Sequence, residues 1–141
     1  MTDELFSILI APSELQDEIE SIESKIKAYR DKMLPSAIRY DSDKVKSSPK
    51  DIMPEYVAKI EGLSNLKEKK IIEQFKALNR VEALAEHLTG TEKRIIIMRY
   101  MENREYEEIA EILYMSERQM FNYRKSAIEK LEKISVNCSR L

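Results

Sequence analysis

Residues 13–33 carry an apolar stripe that is narrower than the stripe of an ordinary amphipathic helix. Its members recur at alternating spacings of four and three residues: Leu15, Ile19, Ile22, Ile26, Tyr29 and Met33. This is the a and d pattern of about three heptads, and a stripe of this width is buried by a single partner helix. We therefore expect a long helix that Ser13 caps and Pro35 stops, with these six residues facing a partner helix.

A second long helix is predicted after a linker at about residues 34–53, a stretch rich in Ser, Asp, Lys and Pro. Pro54 suits the first turn of that helix, and the apolar spacing continues to about His87. The two long helices can fold back on each other as an antiparallel hairpin. Dimerisation through the first helix is the competing arrangement, and the heptads do not decide between the two.

The composition favours an all-α fold, because 35% of the residues are charged and the chain has only 2 Gly and 4 Pro. The net charge of −2 hides a local difference. Residues 1–60 contain 9 bases and 12 acids, whereas residues 112–133 contain 5 bases and 3 acids. Any contact with nucleic acid is therefore expected near the C-terminal end.

The chain is expected to be soluble and cytoplasmic. Its single Cys138 suits a reducing compartment. The apolar run LFSILIA follows Asp3 and Glu4 instead of basic residues, and it is too short to span a bilayer. We expect this run to dock on the chain's own core or on a partner.

Three shorter helices are predicted after residue 88. Thr91 is expected to cap the first, and Ser116 the third. The expected core positions are Ile95, Ile96, Met98, Met101, Ile109, Ala110, Leu113, Met120, Tyr123, Ala127, Ile128 and Leu131. Two short helices joined by the tight LYMS connection form a helix-turn-helix arrangement.

The segment from Leu88 to Leu131 resembles the fourth region of bacterial sigma factors. The matching pieces are Leu88-Thr89, Met98-Arg99-Tyr100, Tyr106 to Leu113, Ser116-Glu117 and Ala127 to Leu131. Tyr114 stands where that family has the turn glycine, which predicts a left-handed backbone at a residue with a Cβ. Glu105 replaces the usual capping serine, and Ile97 is apolar where the family is often charged, which predicts packing against an added element.

Nothing in residues 1–87 resembles the second region of a sigma factor, which opens promoters. The layout is similar instead to phage transcriptional regulators of the ArpU and RinA type, in which long helices precede a sigma-like domain. We thus expect an interaction or dimerisation part at 1–87, a DNA-binding domain at 88–135 and a tail at 136–141.

The third short helix carries the side chains expected to contact DNA. Arg118 is expected to make paired hydrogen bonds to guanine, and Gln119 or Asn122 to adenine. Phe121 is expected to contact either a thymine methyl or a neighbouring helix. The expected phosphate contacts are Lys93, Arg94, Arg104, Ser116, Arg124 and Lys125. Arg124 stands where the family commonly has a buried leucine, so a salt bridge is its alternative role.

These features predict a sequence-specific DNA-binding transcription regulator, a phage-encoded sigma-like activator of late genes. Its expected partners are double-stranded DNA and either RNA polymerase or a second copy bound through the N-terminal helices. A DNA-packaging adaptor of the small-terminase type, or a protein that binds RNA polymerase or a sigma factor, remains the alternative. Because His87 and Cys138 lack partners at catalytic or metal-binding spacing, no enzyme activity, metal or cofactor is expected.

Overall fold

The computed structural model of the chain describes the backbone of residues 1–34 and 49–139 and the side chains of 1–34 and 53–134. The described residues form helices and contain no strand: α1 (Asp3–Met33), α2 (Pro49–Ala85), α3 (Gly90–Ile96), which continues as a π-helical segment (Ile97–Met101), α4 (Tyr106–Ile112) and α5 (Glu117–Ser139). The all-α class predicted from the sequence is therefore confirmed. In the part of the chain that the structure describes, no helix is long and apolar enough to cross a membrane.

Both long helices begin earlier than the sequence pattern predicts. The start of α1 lies at Asp3, ten positions before the expected cap at Ser13, and Pro12 lies inside the helix. The hydroxyl of Thr2 accepts a hydrogen bond from the N–H of Leu5 at 3.3 Å, and Asp3 and Glu4 suit the positive end of the helix dipole. The free energy gained by packing the apolar run thus outweighs the loss of the backbone N–H donor at Pro12.

In α2, the proline in the first turn is Pro49, and Pro54 lies inside the helix. The linker expected at 34–53 therefore ends earlier than predicted, because residues 49–53 are helical. Residues 35–48 lie outside the described residues. At the other end of the chain, helix α5 continues through Ser139 into the expected tail, and the side chain of Cys138 lies outside the described side chains.

The chain divides into two compact units. The hairpin unit is Asp17–Ile72, and the C-terminal unit combines Met1–Gln16 with the chain from Glu73 onward. Because α1 and α2 each run through both units, this division differs from the boundary expected between residues 87 and 88. The beginning of α1 and the end of α2 belong with the short helices.

The hairpin unit pairs α1 with α2 in antiparallel order. Lys67 lies 3.1 Å from Glu23, Lys70 lies 2.9 Å from Glu18, and the rings of Tyr29 and Tyr56 are 5.7 Å apart. The middle residues of the heptad stripe, Ile19, Ile22 and Ile26, are buried, and Tyr29 and Met33 are half-buried. The stripe is therefore covered within one chain, as in the antiparallel hairpin, which is one of the two arrangements that the heptads leave open.

The C-terminal unit has two apolar clusters. The larger cluster joins Leu5 and Leu9 of α1 to the end of α2 and to α5: its buried members are Leu5, Leu9, Val81, Ala85, Leu88, Ile96, Tyr100, Ala127, Ile128 and Leu131. The smaller cluster consists of Ile95, Met98, Ile109, Ala110 and Met120. The expectation that the first apolar residues dock on the chain's own core is confirmed, and the half-buried Ile97 packs against the larger cluster, as its apolar character predicts.

Helix α3 contributes Ile95 to the smaller cluster and Ile96 to the larger one, and it then passes into the π-helical segment. The N–H of Glu102 donates to the carbonyl of Ile97 at 3.0 Å, one residue further back than in an α-helix. The cap of α3 differs from the expectation at Thr91. Thr89 occupies the N-cap position without a side-chain cap bond, and Gly90 follows it with a φ of 59°.

Candidate nucleic-acid interface

The turn between α4 and α5 is a helix C-cap with a tyrosine in the glycine position. The N–H of Tyr114 donates to the carbonyl of Glu111 at 3.1 Å, and the N–H of Met115 donates to the carbonyl of Ala110 at 3.0 Å. This pair of bonds is the Schellman motif, which requires a left-handed residue. Tyr114 has a φ of 53°, as the departure from the family pattern predicted. A side chain with a Cβ costs about 1 kcal/mol in this conformation.

A reciprocal capping box starts α5 and fixes its first turn. The hydroxyl of Ser116 accepts a hydrogen bond from the N–H of Gln119 at 3.2 Å. In return, Oε1 of Gln119 accepts a hydrogen bond from the N–H of Ser116, also at 3.2 Å. The prediction that Ser116 caps α5 is confirmed. The spacing of Ser116 and Gln119 is the sequence signature of this motif, so the role of Gln119 was readable from the sequence.

This capping role changes what Gln119 can do at DNA. Paired recognition of adenine requires one amide oxygen to accept from N6 and one amide nitrogen to donate to N7. Because Oε1 of Gln119 already accepts from Ser116, the paired contact would open the capping box. We therefore assign Gln119 to the cap and retain Asn122 as the amide that faces outward.

The inward face of α5 differs by one position from the face predicted from the sequence. Met120, Ala127, Ile128 and Leu131 are buried, as predicted, but the side chain of Tyr123 is 44% exposed. Tyr123 is therefore corrected from a core residue to a surface residue. Position 124 lies one turn beyond Met120 and one turn before Ile128, so it is the side chain of Arg124 that turns inward.

Arg124 is held inside the C-terminal unit by two tyrosines. Its Nη2 donates to the hydroxyl of Tyr100 at 3.0 Å, and its guanidinium lies 5.4 Å from the centre of the Tyr106 ring. Burial raises the pKa of Tyr100, and the hydrogen bond from Arg124 opposes this rise. Because Arg124 is engaged here, we correct its expected phosphate contact and assign it to positioning α5 against the π-helical segment.

The outward face of α5 presents Arg118, Asn122 and Lys125. These residues follow the spacing i, i+4, i+7, so they lie along one stripe opposite the buried face. All three are exposed, and none of their side chains has a hydrogen bond or ion pair with another residue in the described part of the chain. We call these three residues the reading stripe. Lys130, further along α5, is instead paired with Glu92 at 2.8 Å.

Phe121 lies beside the reading stripe and contacts α4. Its ring centre is 5.0 Å from that of Tyr106, and 42% of its side chain remains exposed. Of the two roles that the sequence leaves open, the structure favours packing against the neighbouring helix. The centre of the Tyr106 ring also lies 4.2 Å from the guanidinium of Arg99, whose Nη1 donates to the carbonyl of Arg104 at 3.0 Å.

The basic residues expected at phosphates fall into two groups. Arg104 is bonded to Glu102 at 3.0 Å and to Glu108 at 2.6 Å, and these hydrogen bonds raise its pKa. Lys93 lies 3.4 Å from Glu86. Arg94 is exposed and, like Lys125, has no ion pair among the described residues. Arg94 and Lys125 therefore remain the better phosphate contacts, because binding there would break no existing ion pair.

The position of Arg94 relative to α5 is fixed by an interaction that was not predicted from the sequence. The carboxylate of Glu92 accepts from the hydroxyl of Ser126 at 2.8 Å and from Lys130 at 2.8 Å. The hydrogen bond from Lys130 lowers the pKa of Glu92, burial opposes this shift, and the hydrogen bond from Ser126 adds to it. This network ties α3 to α5. No local pattern signals it, since Glu92 and its partners are far apart in the sequence.

Comparison with known proteins supports the helix-turn-helix assignment. Residues 78–131 match the model of the family described as Sigma-70, region 4. The matched segment begins in the last turns of α2 and ends at Leu131, so it includes Val81 and Ala85 of the larger cluster as well as α3, α4 and α5. No curated protein matches the chain, and no solved structure matches it.

Proposed function

We propose that this chain, with its sigma region 4-like helix-turn-helix domain, is a sequence-specific DNA-binding regulator of transcription. The observation that carries the proposal is the reading stripe of Arg118, Asn122 and Lys125. These side chains are exposed on a capped helix whose opposite face is buried. A helix held in this way can enter the major groove with its first two turns leading.

Within the groove, each residue of the stripe has a separate task. Arg118 presents two parallel N–H donors to O6 and N7 of a guanine, and Asn122 pairs with N6 and N7 of an adenine. Lys125, one turn further along, contacts a phosphate, and Arg94 at the start of α3 contacts another. Ser116 and Gln119 keep the first turn of α5 rigid. Base readout therefore rests on two side chains, and the two cations fix the position of the helix.

The acidity of the whole chain is compatible with this role. Its net charge is −2, but residues 112–133 contain 5 bases and 3 acids. On α4, the exposed Glu107 and Glu111 lie on a different helix from the reading stripe. Because few cations face the DNA, affinity should depend on salt only moderately, with a slope set by about two phosphate contacts.

The proposal is tested by selecting bound duplexes from a random DNA pool with the full chain. A consensus containing a guanine is expected, and Arg118→Ala should abolish the preference for that base at a cost of about 1–3 kcal/mol. Lys125→Ala should weaken binding to every duplex alike and should reduce the salt slope by about 1. Lys69→Ala is the matched control, because it removes one exposed lysine from α2, outside the helix-turn-helix segment. Failure to enrich any duplex, or an unchanged preference in Arg118→Ala, would refute this proposal.

The narrower part of the proposal concerns the setting in which the regulator acts. We propose a phage-encoded activator of late genes, working in the bacterial cytoplasm, because the layout resembles regulators of the ArpU and RinA type. The hairpin unit is then the surface for RNA polymerase, and its exposed apolar residues Val57, Ile71 and Ile72 support a contact with another protein. No catalytic role is proposed for any residue.

Two measurements test this narrower part. Bacterial RNA polymerase should be retained by the immobilised chain, and Ile72→Glu should reduce the retention without changing DNA binding. The mass of the chain in solution separates the competing roles. A ring of many copies would instead support a packaging adaptor of the small-terminase type.

A further inference from the structure

The backbone of Tyr114 is strained, and its exposed side chain makes no packing contact in the fold that would offset this strain. The ring is 97% exposed, although the backbone has a φ of 53°. The two hydrogen bonds of the turn are made by the backbone N–H groups of residues 114 and 115, so a glycine would form them equally well. A strained residue that contributes no packing indicates that the side chain serves a function.

The location of the ring restricts what it can contact. Tyr114 lies two residues before the cap Ser116 and four before Arg118, at the end of α5 that enters the groove. A turn in this position lies beside the groove edge, where the sugar–phosphate backbone of one strand runs. Among the side chains that bind phosphates, tyrosine acts as a neutral donor through its hydroxyl.

The charges around the turn favour a neutral donor over a cation. Exposed carboxylates precede and follow the turn, at Glu111 and Glu117. A lysine or arginine at position 114 would pair with these carboxylates, as Arg104 pairs with Glu108 of α4. A phenol hydroxyl forms no ion pair, so it stays available to a phosphate oxygen.

We propose that Tyr114 is a DNA-backbone contact, whose hydroxyl donates a hydrogen bond to a phosphate oxygen and whose ring lies against the adjoining sugar. This inference rests on the proposed function, since it needs a bound duplex. It adds a contact that the basic residues do not provide. It also explains why a tyrosine stands in the left-handed position of the turn.

The test uses the full chain and the duplex that the wild-type chain selects from a random pool. Tyr114→Phe removes only the hydroxyl, Tyr114→Ala removes the ring but retains the Cβ, and Tyr114→Gly also relieves the backbone strain. Tyr114→Phe should bind the duplex roughly tenfold more weakly, because it lacks the hydrogen bond to a charged group. Tyr114→Ala and Tyr114→Gly should bind more weakly still, since they also lose the contact of the ring with the sugar. The slope of affinity against salt should stay the same in all three, since a neutral donor releases no counterion.

Thermal unfolding separates the contact from the strain. Tyr114→Gly should raise the unfolding midpoint by about 3–5 °C, whereas Tyr114→Ala should leave it nearly unchanged. A variant that is more stable and yet binds DNA less tightly is the expected signature of this contact.

The outcomes distinguish this inference from the proposed function. If the wild-type chain binds its duplex and all three variants bind it equally well, the inference is wrong and the proposed function stands. Unchanged DNA binding with loss of RNA polymerase retention would assign the ring to a protein surface and would also overturn the inference. If the wild-type chain selects no duplex, both proposals fail. A reduced salt slope in the variants would contradict the neutral contact.

Discussion

Leu9→Ala should destabilise the helix-turn-helix domain, although residue 9 lies far from that domain in the sequence. The side chain of Leu9 is fully buried in the larger cluster, together with Val81 and Leu131. Truncating a buried leucine costs 2–5 kcal/mol through lost transfer free energy and the cavity left behind, and we expect about 3 kcal/mol here. Alanine favours helix, so the loss reports packing alone. For a chain of this size, the unfolding midpoint should fall by on the order of 10 °C.

The assay is urea unfolding followed by circular dichroism, combined with hydrogen exchange of the amides of Ile128 and Leu131. Both amides should exchange faster in Leu9→Ala if α1 supports α5. Phe6→Ala is the matched control, because Phe6 lies on the same helix but is 48% exposed, and its truncation should cost about 1 kcal/mol or less. If Leu9→Ala costs no more than Phe6→Ala, or if the α5 amides keep their protection, then α1 is not part of this core.

Three further changes test individual contacts. Ser116→Ala should cost about 1 kcal/mol of unfolding free energy and Ser116→Asp should restore it; an equal loss in both would contradict the cap. The contacts of Glu92 lower its pKa in the folded state from the ordinary value of 4.5. They therefore stabilise the fold above the pKa of the unfolded state, and this stabilisation disappears as the pH falls through the pKa of the folded state. Unfolding measured from pH 7 to pH 3 should therefore show an acid-dependent loss that is smaller in Glu92→Gln, and identical profiles would contradict the role of Lys130. Arg104→Ala should leave the salt slope of DNA binding unchanged, and a slope reduced by about 1 would return Arg104 to the phosphate contacts.

The features that were predictable from the sequence are those fixed by local chemistry. Ser116 was identifiable as a cap because a short hydroxyl side chain preceded an apolar helical pattern. The left-handed backbone at Tyr114 followed from the resemblance to sigma region 4, which has a glycine at this position of the turn. The buried positions Ile109, Ala110 and Met120 followed from a spacing of three and four residues. Each of these signals lies within a few residues of the feature that it predicts.

The features that were missed depend on packing between distant segments. Proline usually interrupts a helix, but burial of Leu5 and Leu9 favours the continuation of α1 through Pro12. Tyr123 and Arg124 are neighbours on a helix edge, so sequence spacing alone could not decide which one turns inward. That choice depends on the hydroxyl of Tyr100, which the π-helical segment places opposite Arg124.

The placement of Leu5 and Leu9 in the larger cluster has a consequence for synthesis on the ribosome. These residues leave the ribosome before Ile128 and Leu131 of the same cluster, which are made only after about 120 further residues have been added. A cluster closed between segments so far apart in the sequence forms late, because the loop between them must first be closed. A nascent chain that already contains α4 therefore still lacks the finished core that holds α5. The proposed ability to bind DNA should consequently appear abruptly, once α5 has left the ribosome.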